Sequence, residues 1–159
     1  MPFKYGIATM TEVPMVFVRI EAEIDGTKTA GIASDLLPPK WFTKVPEDPP
    51  EKEISDMLQV IRKALCQALC QAADSAFDLW QLIYNGQSSW AEANNIPPLL
   101  THFGTSLVER ALIEATCKVR NQAFGQALLS GSLGFEPGCI HSNLEGQSAS
   151  SLLPKTPLA

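Results

Sequence analysis

Between residues 13 and 35 the chain alternates. Met15-Val16-Phe17-Val18 is an apolar run that passes into Arg19, Glu21 and Glu23, set against Val18, Ile20, Ala22 and Ile24. A period of two puts one set on each face of a strand. Asp25-Gly26 follows, a preferred pair for a two-residue hairpin because both central positions take positive φ. Residues 27 to 33 then return as the partner strand. Residues 3 to 11 are expected to add a third antiparallel strand, making a small meander.

The period then changes. From residue 53 to about residue 84 the apolar positions Ile54, Met57, Leu58, Ile61, Leu65, Leu69 and Ala72 recur at three-and-four spacing, the stripe of an amphipathic helix. Pro49 and Pro50 suit its start, where a missing N–H costs nothing. The stripe continues through Phe77, Leu79, Trp80 and Ile83, as one helix or as two with a break near Asp74, and Asn85-Gly86 is expected to stop it. Beyond Ile96-Pro97-Pro98, Ser106-Leu-Val-Glu109 has the form of a capping box. Val108, Ala111, Leu112, Ala115 and Val119 then line one face of a helix running to about Leu129. The order predicts an α+β fold, a three-stranded antiparallel meander followed by a helical bundle, over residues 1 to 130. Residues 131 to 159 are rich in Gly, Ser and Pro and read as a linker or tail.

Between the two regimes lies LLPPKWFTKVPEDPP, residues 36 to 50, with five prolines among fifteen residues. It cannot be regular helix or central strand. Trp41 and Phe42 form either a lid pair at its apolar tip or a pin folded back on the helices. Lys40 and Lys44 either meet a carboxylate or are solvated charge.

A chain of 159 residues is long enough for one domain with a real core and short for two. The net charge of −5, with twelve basic residues scattered along the chain, leaves no Lys/Arg stripe for phosphates, so nucleic acid is excluded as a partner. No apolar run approaches a membrane span, so no membrane partner is expected. The start, MPFKYGIATMTEV, has no apolar core of a signal peptide, and a cytoplasmic location is expected.

Candidate chemistry is sparse. Cys66 and Cys70, at i,i+4, together with Cys117 and His102 or His141, would form a metal-thiolate site. The spacings match no zinc pattern, and reduced thiols packed as small hydrophobes are the expectation. His102 and His141 have no neighbour in sequence that makes a nucleophile–base pair. Glu109 and Glu114, at i,i+5, read as a cap and as helix surface, and Asp74 and Asp78 as a solvated pair. No catalytic residue and no metal ligand is assigned.

The hairpin ending Ile24-Asp25-Gly26-Thr-Lys-Thr-Ala-Gly31, the helix of residues 106 to 128 with Glu109, Ala111 and Ala115, and the exit Phe124-Gly125-Gln-Ala-Leu128 carry a resemblance. In that order they resemble the N-terminal capping domain of the enolase superfamily, in its mandelate racemase and muconate-lactonizing branch. The run from Pro38 to Lys44 looks like one from a less characterised branch. The family hairpin often ends Gly-x-Gly-Glu, where this chain has Gly31-Ile32-Ala33-Ser34-Asp35. The resemblance implies a lyase or isomerase acting on a carboxylate substrate, in which this domain closes a (β/α) barrel and is not catalytic itself. The barrel would hold the magnesium ion and the bases, and Lys40, Trp41, Phe42 and Lys44 would form the substrate lid. A barrel takes roughly 200 residues or more, and some thirty follow Leu129. The barrel, in the same or a neighbouring chain, is thus the implied partner, with a homo-oligomer possible. The competing expectation is a stand-alone α+β module that binds another protein through an exposed apolar face.

Overall fold

The computed structural model describes residues 3–5, 8–69 and 71–154. Strands β1 (Phe3–Tyr5) and β2 (Ala8–Met10) come first, then β3 (Met15–Ile24) and β4 (Thr27–Leu36). Helices α1 (Pro50–Ala68), α2 (Ala76–Ala93), α3 (Pro98–Arg120), α4 (Phe124–Leu129), α5 (Pro137–Ile140) and α6 (Ala149–Leu152) follow, with one 3₁₀ turn at Ser142–Leu144. The chain is α+β. Among the described residues no helix is long and apolar enough to cross a membrane.

β3 and β4 pair in register from Ile24↔Thr27 to Met15↔Leu36. Asp25 (φ 52°) and Gly26 (φ 75°) form the turn, as their chemistry requires. The N-terminal segment does not extend this sheet. β1 pairs with β2 alone, Phe3 opposite Met10, so the described strands form two separate two-stranded sheets rather than one three-stranded meander.

α3 is the axis of the molecule. β4, β3, α1 and α2 each pack against it. Leu107, Val108, Ala111 and Ala115 are fully buried. Two glycines set how closely the neighbours approach. A Cβ on Gly31 of β4 would lie 1.8 Å from the Ala111 carbonyl oxygen of α3, and one on Gly104 of α3 would lie 2.3 Å from the Val60 carbonyl oxygen of α1. Both clashes are with backbone, so no side chain can swing away to relieve them.

The long stripe is two helices with the break around Asp74, one of the two arrangements that the sequence left open: α1 ends at Ala68, and α2 starts at Ala76, where the Ser75 hydroxyl accepts the Asp78 amide hydrogen at 3.1 Å. Three other helix boundaries differ from the sequence expectation. Asn85-Gly86 does not stop α2, which continues to Ala93. A Cβ on Gly86 would lie 2.8 Å from the end of the Gln67 side chain, so this glycine lies on the side of α2 that faces α1. The next residue, Gln87, is fully buried and donates to the Val60 carbonyl at 2.7 Å.

α3 begins at Pro98, in the N1 position that proline favours. The capping box expected at Ser106–Glu109 is therefore inside the helix, and the Ser106 hydroxyl donates to the Phe103 carbonyl instead. α3 stops at Arg120 because Asn121 turns left-handed (φ 49°), and α4 resumes at Phe124. Beyond α4 the chain turns back. The Phe77 amide donates to the Leu133 carbonyl at 3.1 Å, Leu133 and Ala149 are buried, and the Phe135 ring meets Phe77 edge-on at 5.3 Å.

Gly31→Ala and Gly104→Ala are each expected to destabilise the fold by about 2 kcal/mol or more, because overpacking here must move backbone. Urea unfolding measures this. A loss under about 0.5 kcal/mol at either site would contradict the close approaches.

Candidate functional site

The loop between β4 and α1 is held by one buried ion pair. Lys40 Nζ lies 2.7 Å from Glu53 Oε1 on the first turn of α1, with the two side chains 13% and 4% exposed. The same ammonium donates to the carbonyls of Val45 (2.5 Å) and Asp48 (2.6 Å), and the Lys40 amide donates to Glu53 Oε2. Lys40 itself is left-handed at φ 63°, a conformation that costs an ordinary residue on the order of 1 kcal/mol or more. Glu53 offsets that cost by binding both the backbone and the side chain of the same residue. The ammonium is thus committed within the protein rather than offered to a substrate.

Phe42 also turns inward. Its ring meets Phe103 of α3 at 4.8 Å and packs on the core. Trp41 is 52% exposed and Lys44 is exposed. The four expected lid residues therefore divide, two anchoring the loop and two reaching the surface.

The outer face of the hairpin presents Met15, Phe17 and Ile32, which are 55%, 67% and 49% exposed. Met15 and Phe17 share a face of β3 with Arg19, and Ile32 sits opposite Arg19 in the ladder. The two edges of this sheet are unlike. Along β4, side chains of α3 take backbone groups: Glu114 accepts the Ile32 amide hydrogen and Lys118 donates to the Ala30 carbonyl at 3.2 Å. Glu114 and Lys118 pair at 2.7 Å, and Arg110 reaches Asp35 at 2.8 Å. The hydrogen bonds from Lys118 and then from the Ile32 amide hold the Glu114 carboxyl below its ordinary pKa. Along β3, among the described residues, no strand pairs with the outer edge.

A second concavity lies against the middle of α3. Phe77 and Trp80 of α2, Glu109 and Ile113 of α3, Phe124 and Leu128 of α4, and Leu133 and Phe135 beyond it enclose about 210 Å³. Phe77 and Trp80 stack at 5.2 Å. Glu109 is the charged group in this wall, and burial pushes its carboxyl above the ordinary value, against the opposing pull of Arg110. Glu109 is thus neither the cap nor the free surface residue expected from its spacing. No sequence signal placed it here, because the wall gathers four segments distant in the chain.

His102 gains a partner that sequence spacing did not reveal. Ser88 Oγ lies 3.3 Å from His102 Nε2 and donates to the Tyr84 carbonyl at 2.8 Å. With that proton spent, Nε2 must be the donor to Ser88, and Nδ1 accepts from Thr105 Oγ1 at 3.2 Å. The ring stacks on Tyr84 at 3.9 Å, and burial lowers its pKa. A serine whose proton serves a backbone carbonyl is not an activated nucleophile, so the cluster joins α2 to α3.

Cys66 and Cys139 are exposed and Cys117 is half-buried, which differs from the expectation of buried small hydrophobes. Burial, then Glu114, pushes the Cys117 thiol upward. Cys70 lies outside the described residues. Among the described residues no group of three or more His, Cys, Asp or Glu is placed to hold a metal ion.

Compared with protein-family models, curated proteins and solved structures, the chain gives no significant match to any.

Two outcomes are expected. Glu53→Ala strands the Lys40 ammonium and should cost about 3 kcal/mol, whereas the double change Lys40→Met with Glu53→Leu should recover much of that loss in a urea double-mutant cycle. A single-variant loss within about 0.5 kcal/mol would contradict the clamp. For Glu109 the folded pKa is raised, so its protonated form supports the fold below the ordinary value of 4.5, and that support is lost as pH rises through the folded value. Glu109→Gln should therefore melt higher than the parent at pH 7, with the gap closing near pH 4. A gap that widens toward acid would reverse the sign.

Proposed function

We propose that the chain is a non-catalytic docking module, the capping domain of a two-part magnesium-dependent enzyme of the enolase superfamily, working in the cytoplasm on a carboxylate substrate. The observation that carries this is the outer face of the β3–β4 hairpin. Met15, Phe17 and Ile32 form an apolar strip on a two-stranded sheet, and a strip of this kind marks a surface that another domain covers. The order of hairpin, proline-rich loop and three long helices supports the proposal, as does the resemblance of the hairpin and of the helix around Glu109 to that family.

On this proposal the magnesium and the proton-transferring groups belong to the barrel, and this chain supplies shape and the exclusion of water. Trp41 and Lys44 are the loop residues placed to meet substrate or barrel rim. Lys40 and Phe42 fix the loop that presents them. The lid is preorganised by the Lys40–Glu53 pair rather than by proline content alone.

The test is co-expression of this chain with a barrel encoded beside it. The two should co-purify in equal amounts, and Phe17→Asp should weaken the complex at least about tenfold (a ΔΔG of about 1.4 kcal/mol) while leaving the melting temperature of the isolated chain unchanged. If no barrel is encoded nearby, or if a barrel binds the parent and Phe17→Asp alike, the capping assignment fails. Capture of a partner of another fold through the same strip would instead establish a stand-alone interaction module.

A further inference from the structure

The cavity beside Glu109 is separate from the docking face and belongs to no step of the proposed function. Its walls are nearly all carbon, and four of its nine lining residues are aromatic: Phe77, Trp80, Phe124 and Phe135. A volume of about 210 Å³ is roughly that of seven waters in the liquid. That is room for one aromatic ring with a short arm.

The wall is chemically unbalanced. Glu109 contributes a half-buried carboxylate, and among the described residues no cation pairs with it. The neighbouring Arg110 pulls on that charge from a distance but makes its direct contacts elsewhere, with Asp35 at 2.8 Å and with the Ser106 carbonyl. A carboxylate in a largely apolar wall is costly until a donor or a positive charge meets it. A neutral or anionic occupant would leave that deficit in place or deepen it. A cation would remove it, and the surrounding ring faces would add a cation–π attraction.

We infer that this cavity is a binding site for a small aromatic monoamine, with the ring among Phe77, Trp80 and Phe135 and the ammonium on Glu109. The cover of the site is the segment after α3, not the proline-rich loop. Phe124 and Leu128 of α4 and the turn carrying Leu133 and Phe135 close it. That turn is tied down at two points. The Phe77 amide donates to the Leu133 carbonyl, and Gly134 (φ 70°) lies so close to Ser75 that a Cβ would come within 2.3 Å of its side chain. A stretch with the composition of a linker thus forms one wall of a pocket.

Calorimetric titration with phenethylamine at pH 7.5 tests this on the full chain, using 2-phenylethanol as the neutral counterpart of the same shape. Phenethylamine is expected to bind saturably with a Kd of about 1 mM or tighter, and 2-phenylethanol at least about tenfold more weakly. Glu109→Gln, checked for folding by circular dichroism, should weaken the amine at least about tenfold while leaving the alcohol unchanged. Ala76→Leu, which fills the wall from α2, should abolish both. No saturation by about 10 mM amine would overturn the site. So would equal affinity for the two probes, which would mark a socket for an apolar side chain, or an unchanged amine affinity in either variant. None of these readouts depends on a barrel partner, so failure here and failure of the docking proposal are distinguishable.

Discussion

The hairpin and the two other long helices are all hung from one helix, α3, which buries a broad face against them. A helix that packs against several elements at once must let them come close or leave voids. α3 meets the requirement with small residues at the crossings: Ala111 receives Gly31 of the sheet, and Gly104 receives the backbone of α1 at Val60. The hairpin, α1 and α2 are each placed by contact with α3, and the cavity beside Glu109 lies against the middle of α3, between α2 and the segment that follows α3.

Apolar packing is supplemented by a few polar ties that cross between elements, each satisfying backbone with side chain. Gln87 of α2 serves the Val60 carbonyl of α1 in the core. Glu53 serves the amide and ammonium of Lys40, and Glu114 and Lys118 serve the edge of β4. A buried pair such as Lys40–Glu53 adds little net stability beyond what an apolar pair of the same shape would give. It does select one arrangement, because an amide, an ammonium and two carbonyls must all converge for the charges to be met. That convergence defines the loop at the lid position, where prolines restrict the backbone without specifying a shape.

Much of this was legible along the chain. The alternation through residues 15 to 24, the Asp25-Gly26 turn, the Pro50 start and the three-and-four stripes follow from local stereochemistry, and the structure carries them. What escaped was decided by tertiary contact. Gly86 looks like a stop, yet it lies within α2 where that helix faces α1, beside a Gln67 side chain nineteen positions away. Ser106 and Glu109 have the spacing of a cap, but Pro98 begins the helix earlier and its partners in the core keep the added turns. Lys40 and Phe42 were visible as unusual loop residues. Their commitments to Glu53 and Phe103 were not, because nothing in a loop sequence states which way a side chain turns. The Glu109 wall was invisible for the same reason.

The unlike edges of the β3–β4 hairpin have a consequence for how large an assembly can grow. An exposed strand edge ordinarily invites addition without end, since each new strand offers another edge like the last. Here a carboxylate and an ammonium from α3 take two backbone groups of β4, whereas no strand among the described residues pairs with the outer edge of β3. Two copies joined edge to edge through β3 would make a four-stranded sheet bounded on both flanks by β4, and a partner strand in the same place would be bounded on one. The charged row on α3 thus weighs against strand addition along β4, in addition to holding the sheet in place.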